Sequence, residues 1–184
     1  MVNFEDNWWQ FFVPECFFDT VLVKKLLQTK KRLMHRKGCS NVANDLNSDR
    51  LKNLFAVAII DNDKKELDYL KGCELKYDSN KLRLLKHRTE NHFLIQLNPP
   101  LEKWIIEVLE ENNLRIEDFG YPRDYKKLKQ KIKSDIDNEN DLKLNNLVGA
   151  IIKTDCEAIK KLKYFLFYLK EKNYQADIKE LING

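Results

Sequence analysis

Residues 54–63 read Leu54-Phe55-Ala56-Val57-Ala58-Ile59-Ile60-Asp61-Asn62-Asp63. The apolar run from Leu54 to Ile60 has no polar alternation, is short for a helix and ends on acids, which predicts a strand covered on both faces, as in a parallel sheet. Parallel sheets carry helices on their faces and place their sites beyond the carboxyl ends of the strands. Asp61 and Asp63 stand at such an end.

Working outward, residues 8–13 (WWQFFV) are aromatic and β-branched and stop at Pro14, predicting a short buried strand that delivers Glu15 to the same edge. Trp8, Trp9, Phe11 and Phe12 are then core residues. Phe18, Val21, Leu22 and Leu26 recur at helical spacing, and Lys30-Lys31-Arg32 give that helix a basic end. Residues 33–35 predict a second short strand leading to Gly38, after which Ser40 is placed to cap a helix carrying Val42, Ala43 and Leu46. Strand, helix, strand, helix, strand is the alternation of a doubly wound fold. Residues 82–86 and 93–97 are two further extended segments, and Pro99-Pro100 end the sheet and open a helix. Helices are expected over 101–111, 125–133, 141–153 and 155–172, the last capped by Asp155 and striped by Ile159, Leu162, Phe165, Leu166 and Leu169. The expected architecture is α/β: a Rossmann-like, mostly parallel sheet within residues 1–100, and a helical extension, 101–184, packed on it. No internal repeat is visible.

Bulk properties narrow the classes. With 43% hydrophobic and 34% charged residues in 184, the chain is globular in composition. No apolar run approaches the roughly 20 residues that span a bilayer, and the start, MVNFED, lacks a basic, then apolar, leader. A cytoplasmic protein without a membrane partner is expected. Cys16, Cys39, Cys73 and Cys156 are scattered, with no C-x-x-C pair, and read as free thiols. A net charge of +4, from 33 basic and 29 acidic residues, is compatible with DNA or RNA without demanding either. His35, His87 and His92 lack metal-ligand spacing and read as surface or strand residues. The lysines at 126, 127, 129, 131 and 133, and at 160, 161 and 163, read as solvated helix faces, with nucleic-acid contact the minor reading. An oligomer is open to the chain but not indicated by it.

Glu15 and Asp19 after one strand, with Asp61 and Asp63 after another, are carboxylates that a parallel sheet would bring together. Mg²⁺ takes such oxygen ligands, often one or two carboxylates plus substrate phosphates, and a neighbouring carboxylate can move a proton. Lys86, His87 and Arg88 follow a predicted strand and are expected near the same edge, where a cation would meet a phosphate.

The stretch Phe11-Phe12-Val13-Pro14-Glu15-Cys16-Phe17-Phe18-Asp19 resembles the TOPRIM signature of apolar strand, Glu-Gly, then Asp early in a helix, and Ile59-Ile60-Asp61-Asn62-Asp63 resembles its Asp-x-Asp. Arg36-Lys37-Gly38-Cys39-Ser40-Asn41-Val42 resembles the glycine turn of TOPRIM domains in OLD-type nucleases. The resemblance covers roughly residues 8–98. It implies a TOPRIM sheet acting on nucleic-acid phosphodiesters, with Glu15 in proton transfer, Asp61 and Asp63 on Mg²⁺ (or Mn²⁺), Asp19 in support, and Glu102 on a second metal. Cys16 departs from the family by replacing the glycine, which favours a second reading: a catalytically silent module binding nucleic acid or a protein. A phosphatase of the haloacid dehalogenase type would also use Asp61-x-Asp63. Lys64, where Thr or Val is expected, and the lack of a late Asp pair argue against it.

Overall fold

The computed structural model of the chain describes residues 4–62, 68–133 and 138–184. After a short helix α1 (Phe4–Asn7), Trp8–Phe11 form a 3₁₀ turn and β1 is only Phe12–Pro14. The strand expected from residue 8 is therefore shortened. Trp8 packs edge-on against Phe12, with ring centroids 5.3 Å apart, and both Trp8 and Phe11 are buried without extending the strand. Helix α2 (Phe17–Leu26) follows. Residues 33–35 run beside β1, where Met34 N–H donates to Phe12 O (3.4 Å) and Arg36 N–H to Pro14 O (3.0 Å), but they form no ladder strand.

Helix α3 (Cys39–Leu46) starts from Gly38 rather than under a Ser40 cap, and no side chain caps it. Gly38 adopts φ 91° and ψ 148°, a conformation open essentially to glycine alone. Strand β2 (Ala56–Asp61) is buried at every residue, as its continuous apolar run requires. The short helix α4 (Asp68–Lys71) leads into β3 (Cys73–Asp78), β4 (Leu82–His87) and β5 (His92–Leu97).

The sheet order is β1-β2-β5-β4-β3. β1 with β2 and β2 with β5 are parallel, whereas β5 with β4 and β4 with β3 are antiparallel. The sheet is thus mixed, not mostly parallel. The cause is the short link 79–81, which can join only antiparallel strands, so β3 and β4 form a hairpin laid against β5. β3 was not expected, because CELKYD has no apolar run. Its mostly uncovered residues, with Glu74 and Lys76 on the sheet edge, suit a protected edge strand.

The C-terminal part is helical among its described residues: α5 (Leu101–Glu110), α6 (Tyr125–Lys133), α7 (Leu142–Lys153), α8 (Glu157–Lys172) and α9 (Ile178–Asn183). Asp141 caps α7 by accepting from Leu144 N–H (2.7 Å). Helix α8 begins two residues after Asp155, which adopts φ 50° and does not cap it; Cys156 occupies that position. Helix α7 lies against α2, and Phe165 of α8 meets Tyr77 of β3 edge-on, 5.4 Å between centroids. One apolar cluster runs from Phe12 and Phe18 through β2 and β5 to Trp104, Leu147 and Phe165. No helix among the described residues is long and apolar enough to cross a membrane.

Candidate functional site

The parallel pairing of β1 with β2 sets Pro14 beside Ile59, so that both strands end at the same edge. Glu15 N–H still donates to Ile59 O (3.0 Å), which holds Glu15 at the end of β2. Its carboxylate is fully committed on one side: Oε2 accepts from Asp61 N–H (2.9 Å) and from the Cys39 thiol (2.7 Å). The thiol arrives there because the Gly38 turn, anchored by Gly38 N–H to Glu15 O (3.2 Å), starts α3 beneath Glu15.

Asp19 serves α2. Its Oδ2 accepts from Cys16 N–H (3.1 Å) and from the Cys16 thiol (3.0 Å), while Asp19 N–H donates to Cys16 Sγ (3.5 Å), a reciprocal capping box. Cys16 is therefore the N-cap residue. Glu102 enters from the first turn of α5. Glu15, Asp19, Asp61 and Glu102 are all at least nine-tenths buried. Asp19 Oδ1, Asp61 Oδ1 and Glu102 Oε1 have no hydrogen-bond partner among the described residues. Each such oxygen costs roughly 1–3 kcal/mol or more of lost solvation.

The cation of this cluster was not foreseen. Lys133, the last residue of α6, ion-pairs with Asp61 Oδ2 and stands 3.6 Å from Glu15 Oε1. Burial alone would lower its pKa, but Asp61 and Glu15, helped by Glu102, hold it well above the usual lysine range. Asp61 is pushed up to about 7 by burial and by Glu15, which outweigh the pull of Lys133. Asp19 is raised well above the carboxylate range, first by burial and then by Asp61 and Glu15. Burial and Glu15 push the Cys39 thiol up, and burial and Asp19 do the same to Cys16, so both stay protonated as donors.

The structure thus brings Glu15, Asp19, Asp61 and Glu102 into one electrostatic cluster. Asp63 lies outside the described residues. Lys86 does not join them. It pairs with Phe93 at the start of β5, whereas Asp61 pairs with Leu97 at its end, four residues or about 13 Å of strand away. Because β4 runs antiparallel to β5, the carboxyl end of β4 points to the opposite edge. Lys86 there donates to His87 O (2.9 Å) and Glu90 O (2.5 Å). His87 is at that edge too, and Arg88 bonds Glu74 (3.3 Å) and Lys71 O (3.2 Å).

The donor set, carboxylate oxygens with three lacking partners, suits a hard divalent cation. Among the described residues no group of three or more His, Cys, Asp or Glu side chains is gathered to hold a metal ion. Mg²⁺ does not require such a cage, being commonly held by one or two carboxylates with water and phosphate. Glu15 and Asp61 are two such carboxylates, with the Lys133 ammonium between them. Compared with known protein families, curated proteins and solved structures, the chain matches none.

Proposed function

We propose that this chain is a TOPRIM-like protein that takes Mg²⁺ or Mn²⁺ on Glu15 and Asp61 and processes the phosphodiesters of DNA or RNA, in the manner of a nuclease. The observation that carries this reading is the buried acid cluster at the shared end of parallel strands β1 and β2, with carboxylate oxygens left without partners. Buried carboxylates crowded together need a cation or a proton to coexist. A bound divalent cation would supply charge neutralisation on the attacking and leaving oxygens of a phosphodiester. The chain's own residues do the rest. Glu15 Oε1, not occupied by Cys39 or by the Asp61 N–H, is the oxygen that would face either the cation or, when it holds none, a proton exchanged with a nucleophile or leaving group. Asp19 fixes the start of α2 and the backbone next to Glu15 through Cys16.

A second reading is favoured by one observation, the Lys133 ammonium already seated on Asp61 and beside Glu15. In that reading the cluster is neutralised from within, and the chain is a silent module that binds nucleic acid or a protein. Calorimetric titration of Mg²⁺ and Mn²⁺ into the wild type and into Asp61→Asn, with labelled single- and double-stranded DNA and RNA assayed in parallel, separates the two. Metal binding and cleavage, both lost in Asp61→Asn, are expected. Metal binding without cleavage of any substrate moves the assignment to the silent module, and no metal binding removes the nuclease reading.

A further inference from the structure

Lys133 stands out among the lysines of α6. Leu128 and Ile132 bury the helix against the core, and Lys126, Lys127, Lys129 and Lys131 are exposed. Lys133 instead turns its ammonium onto a carboxylate whose side chain is 1% exposed and towards another that is 5% exposed, while remaining 18% exposed itself. It reaches the end of β2 from a helix 72 residues further along the chain.

We infer that Lys133 is a tethered counter-ion that occupies the divalent-cation position between Asp61 and Glu15, so that metal enters only when this ammonium leaves. The inference rests on the metal reading above. Two positive charges cannot share Asp61 Oδ2 and Glu15 Oε1 at ion-pair distance, because their repulsion in a buried setting is far larger than in water. The ammonium can leave without unpacking α6. Leu128 and Ile132 hold the helix, and the partly exposed four-carbon stem of Lys133 gives the head a short path to water. Lys133 then sets the affinity of the site for metal: binding is an exchange, weaker than the carboxylates alone would give. Unpartnered oxygens on Asp61, Asp19 and Glu102 remain nearby to receive a dication or its water ligands, which a single ammonium does not satisfy.

The test uses the full chain in three forms: wild type, Lys133→Met and Lys133→Arg. Mg²⁺ and Mn²⁺ affinities are measured by calorimetry, with circular dichroism confirming the fold. Lys133→Met is expected to bind either metal at least about tenfold more tightly than wild type, and Lys133→Arg no more tightly, since a guanidinium keeps the competing charge. Equal or weaker binding in folded Lys133→Met overturns the inference and leaves the metal reading standing. No binding in any form overturns both. Should Lys133→Met fail to fold, the wild type still decides through the lysine ε-methylene NMR signal that is missing in Lys133→Arg. Saturating Mg²⁺ is expected to move that signal to the position of solvated lysines, and a signal unmoved by bound metal rejects the exchange.

Discussion

At the scale of single residues, crowding Glu15, Asp19, Asp61 and Glu102 around Lys133 leaves the interior with more carboxylates than cations, and the folded chain meets the deficit by retaining protons. Asp61 titrates at about 7 when folded, and an unfolded aspartate at about 3.9. A group whose folded value is raised lends stability that is fully present below the unfolded value and lost as pH rises through the folded one. Asp19 is shifted in the same direction. The chain should therefore lose stability between about pH 5 and pH 8, on the order of 2 kcal/mol from Asp61, and Asp61→Asn should flatten that loss. Urea midpoints of both proteins across this range check it; a pH dependence unchanged in Asp61→Asn contradicts the protonated cluster. His92 acts in the opposite sense. Burial holds its pKa down, its Nε2 lies 3.1 Å from Leu51 O and its Nδ1 meets the Tyr69 hydroxyl, so its stabilisation fades below its unfolded value, about 6.5. His92 contributes to the fall at about pH 6, and Asp45, which despite its burial Arg50 and Arg36 hold below the usual carboxylate range, to the fall at lower pH. Glu15, Asp19, Asp61 and Glu102 were all legible as acids at strand ends or helix starts. Lys133 was not, because it and Lys129 each follow an apolar position of α6 by one residue, and nothing local tells the buried lysine from the exposed one.

At the scale of elements, the strands that could be read were those with buried apolar residues, β2 and β5 on both faces and β4 through Leu82 and Leu84. β2 and β5 are buried at every position, so their apolar runs were visible, whereas β3 draws its place from pairing with β4 and left no such mark. The direction of β4 was illegible for a related reason: an apolar strand looks the same running either way, and the three-residue link 79–81 carries the information. Misreading it placed Lys86 at the wrong edge. The start of α2 depends on a residue seldom used for the purpose. The Cys16 thiol both accepts from Asp19 N–H and donates to Asp19 Oδ2, so Cys16→Ala removes both contacts and should cost about 1 kcal/mol. Cys16→Ser, which keeps an acceptor and a donor, should stay close to wild type in the same thermal melts. If alanine and serine melt together, the capping role of the thiol is wrong.

For the whole molecule the question is whether the helical part is a separate unit or completes the core of the sheet. Helix α7 covers α2, the helix that carries Asp19, and α6 supplies Lys133 to the end of β2, so the acid cluster itself is assembled from both halves of the chain. Phe165 of α8 is fully buried and reaches Tyr77 on the edge strand β3. Truncating it should cost about 3–5 kcal/mol, as large-to-small changes in a packed core do. The manner of the loss is more informative than its size. If residues 101–184 formed an independent unit, Phe165→Ala would split unfolding into two steps and leave amide protection in β2 and β5 untouched. With one apolar cluster running from Phe12 to Phe165, a single cooperative transition should persist at a lower urea midpoint, and protection in β2, β5 and α7 should fall together. Hydrogen exchange on the variant distinguishes these outcomes. Persistent protection of β2 and β5 after α7 has opened would mean that the sheet stands without the helices, and would detach Lys133 from the stability of the acid cluster it serves.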